Sequence, residues 1–320
     1  MAPNVLVTGE TLIDMLPDGP GPLSRVGGFE RRPGGAPANV AVGLARLGAP
    51  PLFWTRVGAD PFGRYLEDVL RDEGISERYV ERDPDAKTTL AFVTHDEAGD
   101  RAFTFYREGT ADTRLEPGRV GDDALEGLEW VHAGGLALAS EPARSATRDL
   151  LERAAARGCT VSFDPNARPE LWEREDAFAS EVREVLPAVD VLKATVEELD
   201  ALGFAGDTAE ERARDALDCG PHTVLLTRGG EGALALARQD APWIDGTERA
   251  THAGFDVEVA DTTGAGDAFL AGAIDALVRG EGLEGCLAFA NAVAARATTA
   301  AGAMTALPDR ADADALLSEQ

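Results

Sequence analysis

This chain predicts an α/β fold: a mostly parallel sheet with helices on both faces and a small β flap added. Three observations carry that expectation. From Trp130 onward, short apolar runs alternate with runs of helical periodicity. Residues 88–94 and 101–106, rich in Thr, Phe, Val and Tyr and separated by Asp96-Glu-Ala-Gly-Asp100, read as a β-hairpin outside that alternation. Finally, Asp261-Thr-Thr-Gly-Ala-Gly-Asp267 runs straight into the apolar stretch Ala268–Val278, a glycine turn opening a helix.

In order along the chain, Asn4–Thr8 is a buried first strand, and Gly9-Glu10 turns toward Ile13-Asp14. A Gly/Pro-rich segment covers Pro17–Gly28. Pro33-Gly34-Gly35 leads into a helix over Ala38–Leu47, which Gly48 stops. Leu52–Val57 is strand-like and Phe62–Glu73 an amphipathic helix. Strands Trp130–His132, Thr160–Phe163, Val189–Leu192 and Thr223–Thr227 then alternate with helices Ala143–Arg157, Phe178–Leu186 and Val196–Ala201. Gly232–Ala237 reads as an antiparallel strand, and Leu283–Thr299 as a last long helix. Ligands of such sheets bind beyond the carboxyl ends of the strands. Asp14, Asp164, Thr227 and Asp267 are therefore expected on one rim.

The 320 residues are 44% hydrophobic, enough for one large core. With 57 acids against 30 bases the net charge is -27, a field that disfavours nucleic acid and anionic membrane surfaces. Among the bases only Lys87 and Lys193 are lysine. The acids are spread along the whole chain, which reads as a solvated coat adapted to a salty cytoplasm. Cys159, Cys219 and Cys286 are odd in number and far apart, and the four histidines have no ligand spacing, so disulfides and a thiolate or histidine metal site are not expected. No leader and no apolar run of spanning length is visible, so the expected compartment is the cytoplasm.

Gly264, Ala265 and Gly266 at a helix start offer unpaired N–H groups and the positive end of the helix dipole to an anion. Asp267 in the same first turn would repel a phosphate unless it has another task, and abstracting a proton beside that phosphate is one. An ordinary N-terminal helix acid is the alternative. A second pattern weighs against it: Gly34-Gly35-Ala36-Pro37-Ala38-Asn39-Val40-Ala41, with Gly48 and Gly58 following. Together, and in this order, the two patterns resemble the signatures of the ribokinase family of sugar kinases, also called PfkB-type carbohydrate kinases. The resemblance runs from Gly9-Glu10 to Gly302-Ala303.

It implies a ribokinase-like three-layer fold, one sugar-kinase domain over residues 1–320, and a β-sheet lid from insertions near 12–33 and 86–110. ATP and magnesium are the implied cofactors, with potassium for some members. Asp267 takes the role of general base, and the amides of Gly264, Ala265 and Gly266 that of anion hole. Asp14, Gly34, Gly35 and Asn39 fall on the sugar side. Asn166, Thr195, Glu198, Thr227, Gly229, Gly232 and Asn291 match nucleotide-side positions, with Glu198 organising magnesium through water. Thr195 stands where the family pattern has Asn. Asp261, Thr263 and Gly302 match a monovalent-cation site. A homodimer paired through the β lid is implied by analogy.

Phe163-Asp164-Pro165-Asn166-x-Arg168 and Phe103-x-Phe105-Tyr106-Arg107 resemble the fructokinase version of the family. Tyr106, Arg107 and Arg168 also resemble the 2-keto-3-deoxygluconate kinase pattern, in which guanidinium groups hold a sugar-acid carboxylate. Fructose is the preferred expectation and the sugar acid the alternative. A binding protein without catalysis and a nucleoside kinase of the same fold are the competing classes.

Overall fold

Val5, Leu6, Val7 and Thr8 carry no charge and are buried on both sides, and they form the strand around which the large sheet is laid. The computed structural model describes residues 3–19, 21–95, 101–172, 174–244 and 246–319. The strands are β1 (Val5–Thr8), β2 (Leu12–Pro17), β3 (Phe29–Gly34), β4 (Leu52–Gly58), β5 (Val80–Asp83), β6 (Leu90–His95) and β7 (Arg101–Tyr106). They continue with β8 (Trp130–Gly134), β9 (Thr160–Asp164), β10 (Val191–Thr195), β11 (Thr223–Thr227), β12 (Ala233–Ala237) and β13 (Arg249–His252). The helices are α1 (Ala36–Arg46), α2 (Pro61–Asp72), α3 (Asp122–Leu125), α4 (Ala143–Ala156) and α5 (Glu175–Val185). After them come α6 (Val196–Ala201), α7 (Ala209–Leu217), α8 (Ala265–Val278), α9 (Leu283–Ala297) and α10 (Arg310–Ser318).

The large sheet runs β13-β12-β11-β10-β9-β8-β1-β4-β5, parallel from β5 to β11 and antiparallel at β12 and β13. Strand alternation divides its side chains between two cores. Val5, Val7, Val191 and Leu225 pack with α1, α8, α9 and α10, whereas Leu6, Val161, Leu192 and Leu226 pack with α4, α5, α6 and α7. Helices thus cover both faces, as the alternation of the sequence demands.

The small sheet, β3-β2-β6-β7, is assembled from the two segments read as insertions. Its β6–β7 hairpin is formed as expected, although the connecting residues 96–100 lie outside the described residues. β3 lies at an edge of that sheet, where the Gly/Pro-rich reading ended without a strand. Its sequence Phe-Glu-Arg-Arg-Pro-Gly is not apolar enough to signal one, and pairing with β2 holds it. β5 and β13, also unforeseen, are four-residue edge strands of the large sheet. Because side chains alternate along β2, β6 and β7, Asp14, Ala91 and Phe105 share one face, and Ile13, Leu90 and Tyr106 the other.

Candidate active site

The carboxyl ends of β9, β10 and β11 stop at Asp164, Thr195 and Thr227, and the first turn of α8 lies beyond them. Gly264 caps α8 at φ 75°, a conformation that costs glycine nothing. Among the described residues, the amides of Gly264 and Gly266 make no hydrogen bond, while that of Ala265 is spent on the Thr262 carbonyl at 3.2 Å. Two of the three amides expected to form an anion hole are therefore unspent, and the third would need the turn to relax before it could take part.

Asp267, 9% exposed, accepts a 2.8 Å hydrogen bond from Asn39 Nδ2. Burial pushes its carboxyl up to about 6; the Asn39 bond opposes the rise, Asp164 adds to it, and Lys193 and Arg168 oppose it. Asn39 comes from the first turn of α1, so the side chain that orients Asp267 is anchored by the α1–α8 contact.

Asp267 opens on a cavity of about 90 Å³ that is also lined by Glu10, Asp14, Gly35, Asn39, Asn166 and Arg168. Phe103, Phe105, Leu12 and Leu136 supply its apolar wall. Gly34 leaves room for the Asp14 carboxylate, since a Cβ there would lie 2.1 Å from Asp14 Oδ2 and displace that side chain. Asn166, expected on the nucleotide side, lines this cavity instead. Its amide is turned back onto Asp164 Oδ1 at 3.2 Å.

Two expected sugar-side residues lie elsewhere. Tyr106 is 63% exposed, on the opposite face of the small sheet from Phe103 and Phe105. Arg107 is buried, its Nε donating to Asp112 Oδ2 at 2.7 Å, outside the cavity lining. It stands near Glu10, whose carboxyl burial pushes up to about 7 against the pull of Arg107. Arg168 is at the cavity, with Nη1 donating to its neighbour's carbonyl at 2.8 Å and the guanidinium over Phe103. Strand alternation, available in the sequence, separates Phe105 from Tyr106, but only the pairing of β2, β6 and β7 puts the phenylalanine on the face of Asp14.

Behind the same turn lies a larger cavity of about 350 Å³. Thr195, Thr227, Gly229, Gly232 and Asn291 all line it, as do Ala265 and Gly266. Phe255, Val257 and Val259, from the stretch after β13, form an apolar wall that sequence reading did not single out. Lys193 lines it too, unannounced in a run that reads as a buried strand.

Glu198 does not reach this lining. Its Oε2 accepts from the Thr195 amide at 2.8 Å, closing a capping box, and its Oε1 accepts from the Ala167 amide at 3.0 Å. Asp261, Thr263 and Gly302 are together: Asp261 accepts from the Thr263 amide at 2.8 Å and the Gly302 amide at 2.9 Å. Among the described residues no group of three or more His, Cys, Asp or Glu could hold a metal ion, and no helix is long and apolar enough to cross a membrane. The three cysteines are free thiols.

The turn is thus a partition. Asp267 and Gly264 line the smaller cavity, and Ala265 and Gly266 the larger one, so a phosphoryl group passing between them would meet both the acid and the backbone of the turn. Comparison with known proteins places the whole chain among sugar kinases. Fructokinase of Salmonella typhimurium is 37% identical over 318 residues, covering 98% of this chain and 98% of that protein. The crystal structure of fructokinase with bound ATP from Xylella fastidiosa superposes with a TM-score of 0.86 at 34% identity, over 99% of each chain. A double mutant of fructokinase from Vibrio cholerae O395, in fructose-, ADP- and potassium-bound form, gives a TM-score of 0.83 at 34% identity over 98% of this chain and 97% of that one. The sequence profile of the pfkB family carbohydrate kinases matches residues 2–310. With that profile matching nearly the whole chain and a relative 37% identical over almost its full length, the chain belongs to the pfkB family of carbohydrate kinases.

Proposed function

We propose that this phosphotransferase moves the γ-phosphoryl group of ATP to a hydroxyl of fructose, with Asp267 as the base. The carrying observation is the position of Asp267, buried at the smaller cavity directly after Ala265 and Gly266, which line the larger one, and held by Asn39. In the step, the sugar O–H gives its proton to the Asp267 carboxylate as its oxygen bonds to the γ-phosphorus. The bond from that phosphorus to the β,γ-bridging oxygen breaks, and the electron pair leaves with ADP. The amides of Gly264 and Gly266 would carry the charge of the transferring group. Phosphoryl transfer requires water to be excluded, which gives residues 12–33 and 86–110 the role of a lid on one domain spanning residues 1–320.

A neutral ketose is favoured over 2-keto-3-deoxygluconate by the charges of the small cavity. Glu10, Asp14 and Asp267 line it, and Arg107 is already engaged by Asp112. Arg168 is the one observation on the side of the sugar acid. Turnover of a sugar panel with Mg-ATP in molar KCl tests the reading: fructose should be phosphorylated well ahead of the sugar acid. ADP release that ignores every sugar would end it, and a pure binding role would show as sugar affinity without turnover.

Magnesium would ride on the triphosphate and neutralise its β and γ charges, with Glu198 reaching it only through water, since both its oxygens already accept amides. We assign Asp261, Thr263 and Gly302 to a monovalent cation, potassium. A homodimer is supported by the outer face of the small sheet, where Phe29, Phe92 and Tyr106 form a half-open aromatic row. The acidic coat and the need for ATP support a potassium-rich cytoplasm as its setting.

A further inference from the structure

We propose that Lys193 is a further catalytic residue, whose ammonium contacts the terminal phosphate of the bound triphosphate from the side opposite the sugar. The inference rests on the kinase reading above. Lys193 is on β10, one step beyond the Leu192–Phe163 pair that joins β10 to β9, and its Nζ donates to Asp164 Oδ2 at 2.8 Å. Both side chains are almost wholly buried, at 6% and 2% exposed. Its reach ends at the glycine turn: a Cβ on Gly266 would lie 3.1 Å from Nζ. The ammonium therefore lies against a residue whose amide is unspent, in the lining of the nucleotide-side cavity.

Among the described residues Asp164 is its only hydrogen-bond partner, which leaves two of its three N–H donors for a ligand. Asp164 organises the sugar-side loop through the Asn166 amide, so the pair also joins the two cavities. Charge favours the assignment. Asp164, Glu198 and Asp267 hold the lysine protonated against the cost of burial, so the cation is in place before a nucleotide arrives. No proton is taken from or given to it during transfer.

Composition points the same way. Every basic residue of the chain except Lys87 and Lys193 is arginine. A compact tetrahedral ammonium fits between Asp164 and the Gly266 backbone where a planar guanidinium would press on the turn.

The alternative is a purely structural counter-ion for Asp164, and the experiment separates the two. Lys193→Met and the double variant Lys193→Met, Asp164→Asn would be compared with the natural chain by thermal unfolding, by calorimetric titration with ADP and with the β,γ-imido analogue of ATP, and by turnover. The double variant removes the pair together, so no buried charge is left without a partner. Expected in both variants are ADP affinity within about threefold of the natural chain, analogue affinity lower by about tenfold or more, and kcat lower by about 100-fold. Equal losses for ADP and the analogue, or a kcat within about threefold, would overturn the role of Lys193. If the natural chain phosphorylates no sugar, the kinase reading fails instead; the two titrations remain a separate measure of contact with the terminal phosphate.

Discussion

A carboxylate that takes a proton from an alcohol must be ionised, yet the cavity that excludes water from Asp267 disfavours its charge. The rise to about 6 is the size of that conflict. Since the base acts deprotonated, kcat/KM should climb with pH through about 6 and level off above it, and a profile flat from pH 5 to 8 would count against Asp267. The same shift bears on stability with the opposite sense. A carboxyl raised above its unfolded value contributes fully below that value and loses its contribution as pH rises through the folded one. Asp267→Asn should therefore melt higher than the natural chain at pH 8, by on the order of 1–3 kcal/mol, and about equally at pH 4, while kcat falls by 10³-fold or more as an order of magnitude. Differential scanning calorimetry at the two pH values and a coupled ADP assay measure both. At this scale, what was legible in the sequence followed from local pattern. Asp267 stood out because its acid follows a glycine turn at a helix start, a pattern expected to attract an anion. Lys193 did not, because one lysine in Val-Leu-Lys-Ala-Thr looks like a strand with a polar end until Asp164 is seen beside it.

Helices with a broad apolar face were visible, whereas α7 and α10, which bury few side chains, were not, even though a cap marks the start of each. α1 and α8 were legible from their glycine punctuation and apolar faces, with α8 beginning a turn earlier than its apolar run suggested. α7 was missed because only Ala213, Ala216 and Leu217 are buried on it, although Thr208 and Glu211 form a capping box that could have announced it. What the sequence could not display is how closely elements approach. A Cβ on Gly43 would lie 2.7 Å from the Cβ of Ala271, so α1 and α8 touch where there is room only for hydrogen. Gly43→Val should then cost about 1–3 kcal/mol of stability by overpacking, read as a lower midpoint in urea. It should also lower kcat, because pushing α1 outward carries Asn39 away from Asp267. A variant that loses stability but keeps full turnover would show that this bond does not set the base.

For the whole molecule the dominant number is the net charge of -27. Many of the acids pair with arginines on the surface, as Arg71 does with Asp68 and Glu77, but such exposed pairs are individually weak. The excess acids repel one another, and salt screens that repulsion. The unfolding temperature should therefore rise steeply between about 0.1 and 2 M KCl, where the Debye length shrinks from about 10 Å to a few ångströms. A flat response would remove the halophilic reading. The mostly parallel sheet with helices on both faces was legible because buried parallel strands read as apolar runs between helical ones, whereas the order of strands in the sheet was not. The edges were not, since β5 and β13 are fixed by their neighbours more than by their own residues. The bond between Asn39 and Asp267 spans 228 positions of the chain. A nascent polypeptide still leaving the ribosome has made Asn39 long before Asp267, so on the proposed roles it would turn over no ATP while incomplete. Any fragment truncated before residue 267 should be silent as an enzyme, and mixing it with a peptide carrying the missing end should return turnover only where the two halves dock.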